Sequence, residues 1–227
     1  MTTITETIQK KTGNVFVNAA LIAAMFTAGT YALAVILGWL NFGEFNWWEV
    51  LAGAGNYAAT YLCIKQRRAY AIVGIVGSGL WAFVFLQNNL LASAVVNIYL
   101  AGTLIYGWWR WGKDDNPRKA HHLGFKWVPV YVVLTALIYG GAVWITTALG
   151  GSFAFWDAAI LVFTILAQLL QDQKVIEAWV VWMAVNVIGV ILYWQSGLYF
   201  AVIQQFIFGI ANIWGWMEWR QTMKEEK

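Results

Sequence analysis

Long apolar stretches separated by short polar breaks make up most of the chain. We divide them into eight segments, at about residues 14–39, 46–64, 69–87, 90–111, 127–149, 155–171, 175–195 and 198–219. Most are close to the ~20 residues that an α-helix needs to cross a bilayer. In lipid each must be helical, because backbone N–H and C=O groups cannot bond to water there. The pattern predicts an all-α polytopic membrane protein with eight transmembrane helices.

Composition supports a membrane protein and excludes an ordinary soluble domain. Of the 227 residues, 61% are hydrophobic and 11% are charged, with a mean hydropathy of +0.61. A soluble domain carries roughly 25% charged residues. The single cysteine, Cys63, rules out a disulfide within the chain. The first apolar segment is long and has no A-x-A cleavage pattern, so we expect a retained span.

The basic residues indicate an orientation. With eight spans, all 14 Lys and Arg fall on one side of the membrane. Three acidic residues fall on the other side: Glu44, Glu49 and Asp157. Because loops rich in Lys and Arg stay in the cytoplasm, we predict cytoplasmic N- and C-termini. A multi-pass protein of a bacterial inner membrane is expected.

The two halves of the chain match at a constant offset of 108 residues. Residues 86–111 align with 194–219, and FNWWEV at 45–50 aligns with FAFWDA at 153–158. An offset of four spans makes the repeats parallel, as in transporters whose repeats are related by an axis along the membrane normal. A substrate path between the repeats is then expected. The predicted units are 1–45 (cytoplasmic N-terminus and accessory helix), 46–113 (first three-helix repeat), 114–152 (cytoplasmic loop and linker helix), 153–220 (second repeat) and 221–227 (cytoplasmic tail).

Amide, hydroxyl and aromatic groups dominate the polar chemistry of the spans. No Asp, Glu, Lys, Arg or His lies near the middle of any span, which disfavours a proton relay, an ion-coupled carrier or a retinal protein. Residues at three- and four-residue steps share a helix face. Such a face contains Trp179, Trp182, Asn186, Gly189 and Tyr193 in the seventh span, and Gln205, Gly209, Asn212, Trp216 and Trp219 in the eighth. Asn56 and Thr60 form a pair in the second span, which the repeat matches with Thr164 and Gln168 in the sixth.

Each of these features also has a structural interpretation. Trp near a span end belongs to the interfacial belt, and an amide or hydroxyl within a span often bonds a neighbouring helix. Gly53, Gly55, Gly74 and Gly77 are predicted to allow close helix contact. The first repeat has Ala71, Gly74, Ser78 and Leu104 where the second has Trp179, Trp182, Asn186 and Asn212, so a site between them would be lopsided. The candidate substrate-binding residues are Trp182, Asn186, Asn212, Trp216, Gln195, Gln87, Gln168, Thr60 and Tyr193.

Enzymatic chemistry finds little support. The chain has no phosphate-binding loop, nucleophile elbow or HExxH motif. His121 and His122, beside Asp114 and Asp115, are weak candidates for a metal site because no Cys or Glu is placed with them. We expect no catalytic residue, cofactor, metal or nucleic-acid partner.

Five segments carry a family resemblance over nearly the whole chain. They are WVVWMAVN (179–186), YWQSGLYFAVIQQ (193–205), ANIWGWMEWR (211–220), LQNNLLASAVVN (86–97) and IYGWWRW (105–111). In these segments the chain resembles the PnuC family of nicotinamide riboside (vitamin B3) transporters. The resemblance implies a three-plus-one-plus-three helix core like that of SWEET sugar transporters, but with the opposite membrane orientation. It also implies a homotrimer and facilitated diffusion by alternating access, with the substrate phosphorylated in the cytoplasm for NAD biosynthesis.

The residues fit such a substrate. Nicotinamide riboside has a cationic pyridinium ring, which aromatic faces attract, and an amide and a ribose, which Asn and Gln can bond. We hypothesise that Trp182 and Trp216 contact the ring, while Asn186, Asn212, Gln195 and Gln87 hold polar groups. The alternatives are a carrier of another aromatic vitamin, such as thiamine or a riboflavin-like compound, or of a nucleoside. A membrane scaffold without a transport cycle is the alternative of a different class.

Overall fold

The computed structural model describes residues 2–41, 46–87, 91–113, 116–148, 154–195 and 197–225. These residues form eight α-helices, as predicted: α1 Thr2–Ile36, α2 Trp47–Ile64, α3 Tyr70–Gln87, α4 Leu91–Arg110, α5 Val128–Ala148, α6 Ala154–Asp172, α7 Ala178–Gln195 and α8 Tyr199–Glu225. A 3-10 turn, Phe125–Trp127, precedes α5. After α4, two-residue strands β1 (Gly112–Lys113) and β2 (Asn116–Pro117) pair antiparallel. Glu44, Phe45, Asp114, Asp115, Phe153 and Lys227, used in the sequence arguments, lie outside the described residues.

Two helices extend beyond their predicted limits. Helix α1 begins at Thr2 rather than near residue 14, and α8 ends at Glu225 rather than near 219. The hydrophobic pattern detects only the apolar part of a helix, whereas the backbone bonding continues into a polar segment. In α8 this extension carries a bond of 2.9 Å from Gln221 Nε2 to Glu225 Oε1, one turn apart.

The eight helices differ in how apolar they are. By length and composition alone, five could cross a membrane: α1, α3, α5, α7 and α8. Of the other three helices, α6 is apolar over the shorter stretch Ala158–Asp172. Helices α2, α4 and α6 also carry amides such as Asn56, Asn97 and Gln168. Polar residues on a spanning helix face the bundle interior, so these helices are expected to border an internal site.

The helices pack as two bundles of three. Helices α2, α3 and α4 form one bundle and α6, α7 and α8 form the other, with α4 against α6 and α2 against α8. Helix α1 packs on α2 and α8, and a 2.7 Å bond between Thr30 Oγ1 and the Tyr57 hydroxyl joins it to α2. Helix α5 packs on α6. The structure therefore has the three-plus-one-plus-three arrangement, with α5 as the linker and α1 as an additional helix.

The turns after α2 and α6 are equivalent parts of the two repeats. Gln66 and Lys174, which are 108 residues apart, both have a positive φ, 53° and 57°. Gln66 N donates to Cys63 O at 2.9 Å, and Lys174 N donates to Gln171 O at the same distance. Such left-handed closures satisfy the last carbonyls of a helix. The two turns also bond each other, from Lys174 Nζ to Gln66 Oε1 at 3.2 Å.

A pair of tryptophans repeats this symmetry. The indole of Trp111 donates to Gln171 O at 3.1 Å, and that of Trp219 donates to Cys63 O at 3.2 Å. The two rings meet edge to face with centroids 5.8 Å apart. Equivalent residues of the two repeats thus contact each other across a pseudo-twofold axis. We call the end of the bundle where these contacts lie, and where α2, α4, α6 and α8 terminate, the basic end.

Glycines let the helices of the first repeat approach closely, as predicted. A Cβ on Gly55 of α2 would lie 3.0 Å from the Gly77 Cα of α3. A Cβ on Gly77 would lie 2.6 Å from Asn56 Oδ1. The backbones of α2 and α3 are therefore in direct contact at this depth, which leaves the side chain of Asn56 against α3 and beside the space between the bundles.

The loop between α4 and α5 is hydrogen-bonded to the basic end. His121 N donates to Lys174 O and Ile176 N donates to His121 O, both at 3.0 Å. Glu177 accepts from Leu123 N at 2.9 Å, and its other oxygen lies 2.8 Å from His122 Nδ1. Among the described residues, no three His, Cys, Asp or Glu side chains come together as metal ligands would.

Candidate functional site

A cavity of about 200 Å³ lies between the two three-helix bundles. Its lining comes from α2, α3, α4, α6, α7 and α8; none of the described residues of α1 or α5 borders it. The polar lining residues are Asn56, Thr60, Ser78, Asn97, Thr164, Gln168, Gln171, Asn186, Gln204, Gln205 and Asn212. The space between the repeats is therefore a largely uncharged pocket of amides and hydroxyls, as the sequence predicted for a substrate path.

Rings border the cavity toward both ends. At the basic end, Tyr70 and Trp179 are nearly buried and form part of its lining. Toward the opposite end, Phe85 stacks on Trp81 with centroids 5.2 Å apart and faces Tyr193 at 6.2 Å. Aromatic side chains therefore border the cavity toward both ends of the bundle.

The two repeats contribute unequally to the wall. Gly74, Ser78 and Leu104 of the first repeat line the cavity at positions that match Trp182, Asn186 and Asn212 of the second. At these three positions the first repeat has small or aliphatic groups, whereas the second has an indole and two amides. Such a cavity suits a ligand that has one flat face and polar groups directed at α7 and α8.

The indole of Trp182 is held in place by a chain of side-chain bonds. Its Nε1 donates to Gln171 Oε1, and Gln171 Nε2 donates to Cys63 Sγ at 3.1 Å. Gln171 and Cys63 are again equivalent residues of the two repeats, 108 positions apart. The ring thus has a fixed orientation before any ligand binds, and preorganisation of this kind reduces the entropic cost of binding.

Two amides in the cavity wall lack a bonding partner. Asn186 and Asn212 are each 5% exposed and line the cavity. The Nδ2 atom of each is buried, and no described residue accepts a hydrogen bond from it. A buried donor without a partner costs about 1–3 kcal/mol, so a structure keeps such groups where a ligand or water can bond them. Both donors therefore point to a ligand with hydrogen-bond acceptors.

A carboxylate lies immediately behind the lining at the basic end. Asp172, the last residue of α6, is fully buried. Its Oδ1 accepts from the Tyr70 hydroxyl at 3.0 Å and from Gln168 Nε2 at 2.8 Å. Both of these partners line the cavity. The bond from Tyr70 also joins the first repeat to the second.

The structure brings together six of the nine predicted site residues. Those that line the cavity are Thr60, Gln168, Trp182, Asn186, Tyr193 and Asn212. Gln87 and Gln195 end α3 and α7 with exposed side chains, and Gln87 borders a separate pocket with Asn46 and Glu49. Trp216 is half-buried against the cluster that contains Trp111 and Trp219. These three do not share a site with the other six, and ligand contact remains a prediction for all nine.

Several lining residues were not among the candidates. Gln171 and Tyr70 lie next to breaks between spans, where a side chain is expected to face water. Gln204 and Gln205 are adjacent in α8, and both reach the cavity. The QDQK segment at 171–174 places four polar residues in a row at the end of a span. This run of polar residues was the feature of the sequence that could have indicated a buried polar cluster.

Comparison with known proteins places the chain in a family. A family model described as nicotinamide mononucleotide transporter matches residues 46–221. The chain belongs to this family. It is a multi-pass membrane transporter, and it is not an enzyme. The matched range contains α2 to α7, most of α8 and every residue that lines the cavity.

Individual relatives are distant, but they match most of the chain. The nicotinamide riboside transporter PnuC of Escherichia coli is 23% identical over 80% of this chain and 88% of its own length. The riboflavin/roseoflavin transporter RibM of Streptomyces davaonensis is 26% identical over 63% and 70%, respectively. A crystal structure of the vitamin B3 transporter PnuC superposes with a TM-score of 0.75 at 17% identity, covering 92% of this chain and 93% of that one. At this identity the superposition supports the shared fold alone.

Proposed function

We propose that this protein carries nicotinamide riboside across the bacterial inner membrane. The observation that carries the proposal is the cavity between the repeats, which is lined by the fixed indole of Trp182 and by two unpartnered amide donors. Trp182 offers an aromatic face, which attracts a pyridinium cation by ~0.5–2 kcal/mol. Asn186 and Asn212 offer N–H groups to the carboxamide oxygen or the ribose oxygens. The sequence similarity to the nicotinamide riboside transporter PnuC supports the same substrate.

Binding to the purified protein tests the substrate. Titration calorimetry in detergent is expected to give saturable heat with nicotinamide riboside and none with nicotinamide, which lacks the ribose. Thiamine and riboflavin are the comparison ligands, the latter because one relative carries it. Binding of either one without the riboside would assign the protein to that vitamin. No binding of any of these ligands would contradict the proposal and favour a scaffold.

We also propose facilitated diffusion by alternating access, with the two repeats (46–113 and 153–220) as the moving units and with phosphorylation in the cytoplasm trapping the substrate. None of the described residues lining the cavity is Asp, Glu, Lys, Arg or His, and ion-coupled carriers usually keep such a group in the substrate path. With the membrane potential clamped at zero, riboside uptake by proteoliposomes is expected to equilibrate without accumulation, whether or not a proton or sodium gradient is imposed. Accumulation driven by a proton or sodium gradient at zero membrane potential would overturn the uniport.

The proposed orientation places the basic end in the cytoplasm. Cys63 is the only cysteine and is buried, so cysteines introduced at exposed positions can be labelled selectively. In intact spheroplasts, an impermeant maleimide is expected to label Gln195→Cys, at the opposite end, and to spare Glu225→Cys until the cells are opened. The reverse pattern would invert the topology.

We propose a homotrimer as the assembly. Among the described helices, α5 packs mainly on α6, and the apolar segment Phe125–Ile145 contains no buried residue. It therefore offers a large apolar surface to lipid or to other copies of the chain. Light scattering of the detergent-solubilised protein measures the number of copies, and a monomer mass would contradict the trimer.

A further inference from the structure

The carboxylate of Asp172 is fully buried, and Asp172 is not among the residues that line the cavity. It lies behind the cavity wall at the basic end, where it accepts hydrogen bonds from Tyr70 and Gln168. Its Oδ2 is buried and has no partner among the described residues. A buried carboxylate is costly, and a chain that needed only to close this end of the bundle could use an apolar residue, as Ile64 does at the matching position of α2.

The bond from Gln168 determines which of its amide atoms the ligand meets. A carboxylate oxygen without a proton can only accept hydrogen bonds. Asp172 therefore engages the NH₂ group of Gln168, through Nε2 at 2.8 Å. Because Gln168 lines the cavity, its carbonyl oxygen Oε1 is the amide atom left for a ligand. Without such a partner, an amide side chain can turn over and present either group.

An ammonium group, that of Lys174, also lies at the basic end. Lys174 is also fully buried, but its Nζ bonds Gln66 Oε1 at 3.2 Å and lies 4.7 Å from the centroid of the Trp111 ring. Neither Gln66 nor Trp111 lines the cavity. Asp172, by contrast, bonds two lining side chains directly, Tyr70 and Gln168.

We propose that Asp172 is a specificity-determining positioning residue, which holds the Gln168 carbonyl oxygen toward the cavity so that this end selects ligands carrying an N–H donor. The opposite polarity applies at Asn186 and Asn212, whose free Nδ2 atoms select acceptors. Together the two regions would orient a ligand along the cavity, with its donor group toward the basic end.

This inference rests on the proposed function, because the donor in nicotinamide riboside is its carboxamide NH₂. Nicotinic acid riboside is the matched probe: it keeps the ring cation and the ribose but has a carboxylate in place of the amide. For thiamine the matched probe is oxythiamine, in which an oxo group replaces the exocyclic amino group, so that the exocyclic donor becomes an acceptor. A site built around a ligand N–H rejects an analogue that lacks it, because buried polar groups are then left unpaired.

The experiment is titration of both ligand pairs into wild type, Asp172→Asn and Gln168→Met. The wild type is expected to prefer the amide or amino ligand of the pair it binds by about 10-fold or more. Asp172→Asn, which can donate as well as accept, is expected to reduce that preference to about 3-fold or less, since Gln168 can then turn over. Glu225→Gln, which removes an exposed charge at the end of α8, is the control that should keep the wild-type ratio.

Because Asp172 acts through Gln168, the two substitutions should not add. In a Gln168→Met background, Asp172→Asn is expected to leave the ratio unchanged, within about 2-fold. Equal weakening of both ligands by Asp172→Asn, or a wild type that does not discriminate, would overturn the inference alone. Binding of none of the four ligands to the wild type would overturn the proposed function, and this inference with it. If Asp172→Asn does not fold, Gln168→Met alone tests the inference. A Gln168→Met variant that prefers the amide or amino ligand as strongly as the wild type does would overturn it.

Discussion

Replacing Asn186 with leucine is expected to weaken nicotinamide riboside binding by about 10-fold or more. The Nδ2 group of Asn186 is buried in the cavity wall without a partner. A ligand acceptor that loses this donor stays buried and unpaired, which costs about 1–3 kcal/mol. Leucine keeps the size of the side chain, so the loss reports the hydrogen bond rather than a new cavity. Titration calorimetry measures the change in Kd.

The same substitution separates binding from stability. Since Asn186 Nδ2 makes no hydrogen bond in the protein, its removal is expected to leave the apparent melting temperature of the ligand-free protein unchanged or raised. Val187→Ala is the matched control, because this neighbouring side chain is 58% exposed on the outer surface of α7 and should leave Kd unchanged. Unchanged affinity in Asn186→Leu, or a fall in stability as large as the loss of binding, would remove Asn186 from the site.

Replacing Gly107 with alanine is expected to lower the apparent melting temperature by about 5–10 °C. A Cβ at this position of α4 would lie 2.7 Å from the Tyr70 hydroxyl oxygen and closer still to Asp172 Oδ1. Both side chains are buried and bonded to each other, so they cannot move away freely. Overpacking of this kind costs about 1–3 kcal/mol, and about 1 kcal/mol shifts Tm by 2–4 °C in a chain of this size.

Gly102 provides the control on the same helix. A Cβ there would meet nothing within 4 Å, so Gly102→Ala should be neutral or slightly stabilising, because alanine favours a helix by about 1 kcal/mol over glycine. Thermal unfolding in detergent, followed by tryptophan fluorescence, compares the two variants. Equal melting temperatures would show that the Tyr70–Asp172 contact tolerates displacement, and would weaken the rigid positioning assigned to Asp172.

Gly107 and Gly215 occupy equivalent positions, yet the structure uses them for different contacts. A Cβ on Gly215 would lie 2.6 Å from the Trp179 ring. In the first repeat the space over the glycine holds the Tyr70–Asp172 pair, and in the second it holds an indole. The repeat therefore preserves a place of close approach in each bundle, while the groups that fill it have diverged.

Helical periodicity predicted which residues of α7 share the face that borders the cavity. It did not predict how far the cavity extends along the membrane normal. Residues spaced three and four apart share a face whatever surrounds the helix, so Trp182, Asn186 and Tyr193 were placed together correctly. The same argument grouped Trp216 with Asn212 in α8. A shared helix face shows which way side chains point, but it does not show where along the helix the cavity ends. One turn beyond Asn212, Trp111 and Trp219 already fill the interior of the bundle.

The sequence by itself determined the number of helices, the two parallel repeats and the chemical character of the site. Each of these follows from local physics: lipid forces apolar segments into helices, and a constant offset between matching residues defines a repeat. Only the tertiary structure determined that the α6–α7 turn is buried rather than exposed to solvent. Residues 118–123, α3 and α4 pack over it, and Asp172 thereby bonds Tyr70 and Gln168 instead of water. Burial depends on what other segments bring to a position, so only the packed bundle could place a carboxylate behind the cavity wall.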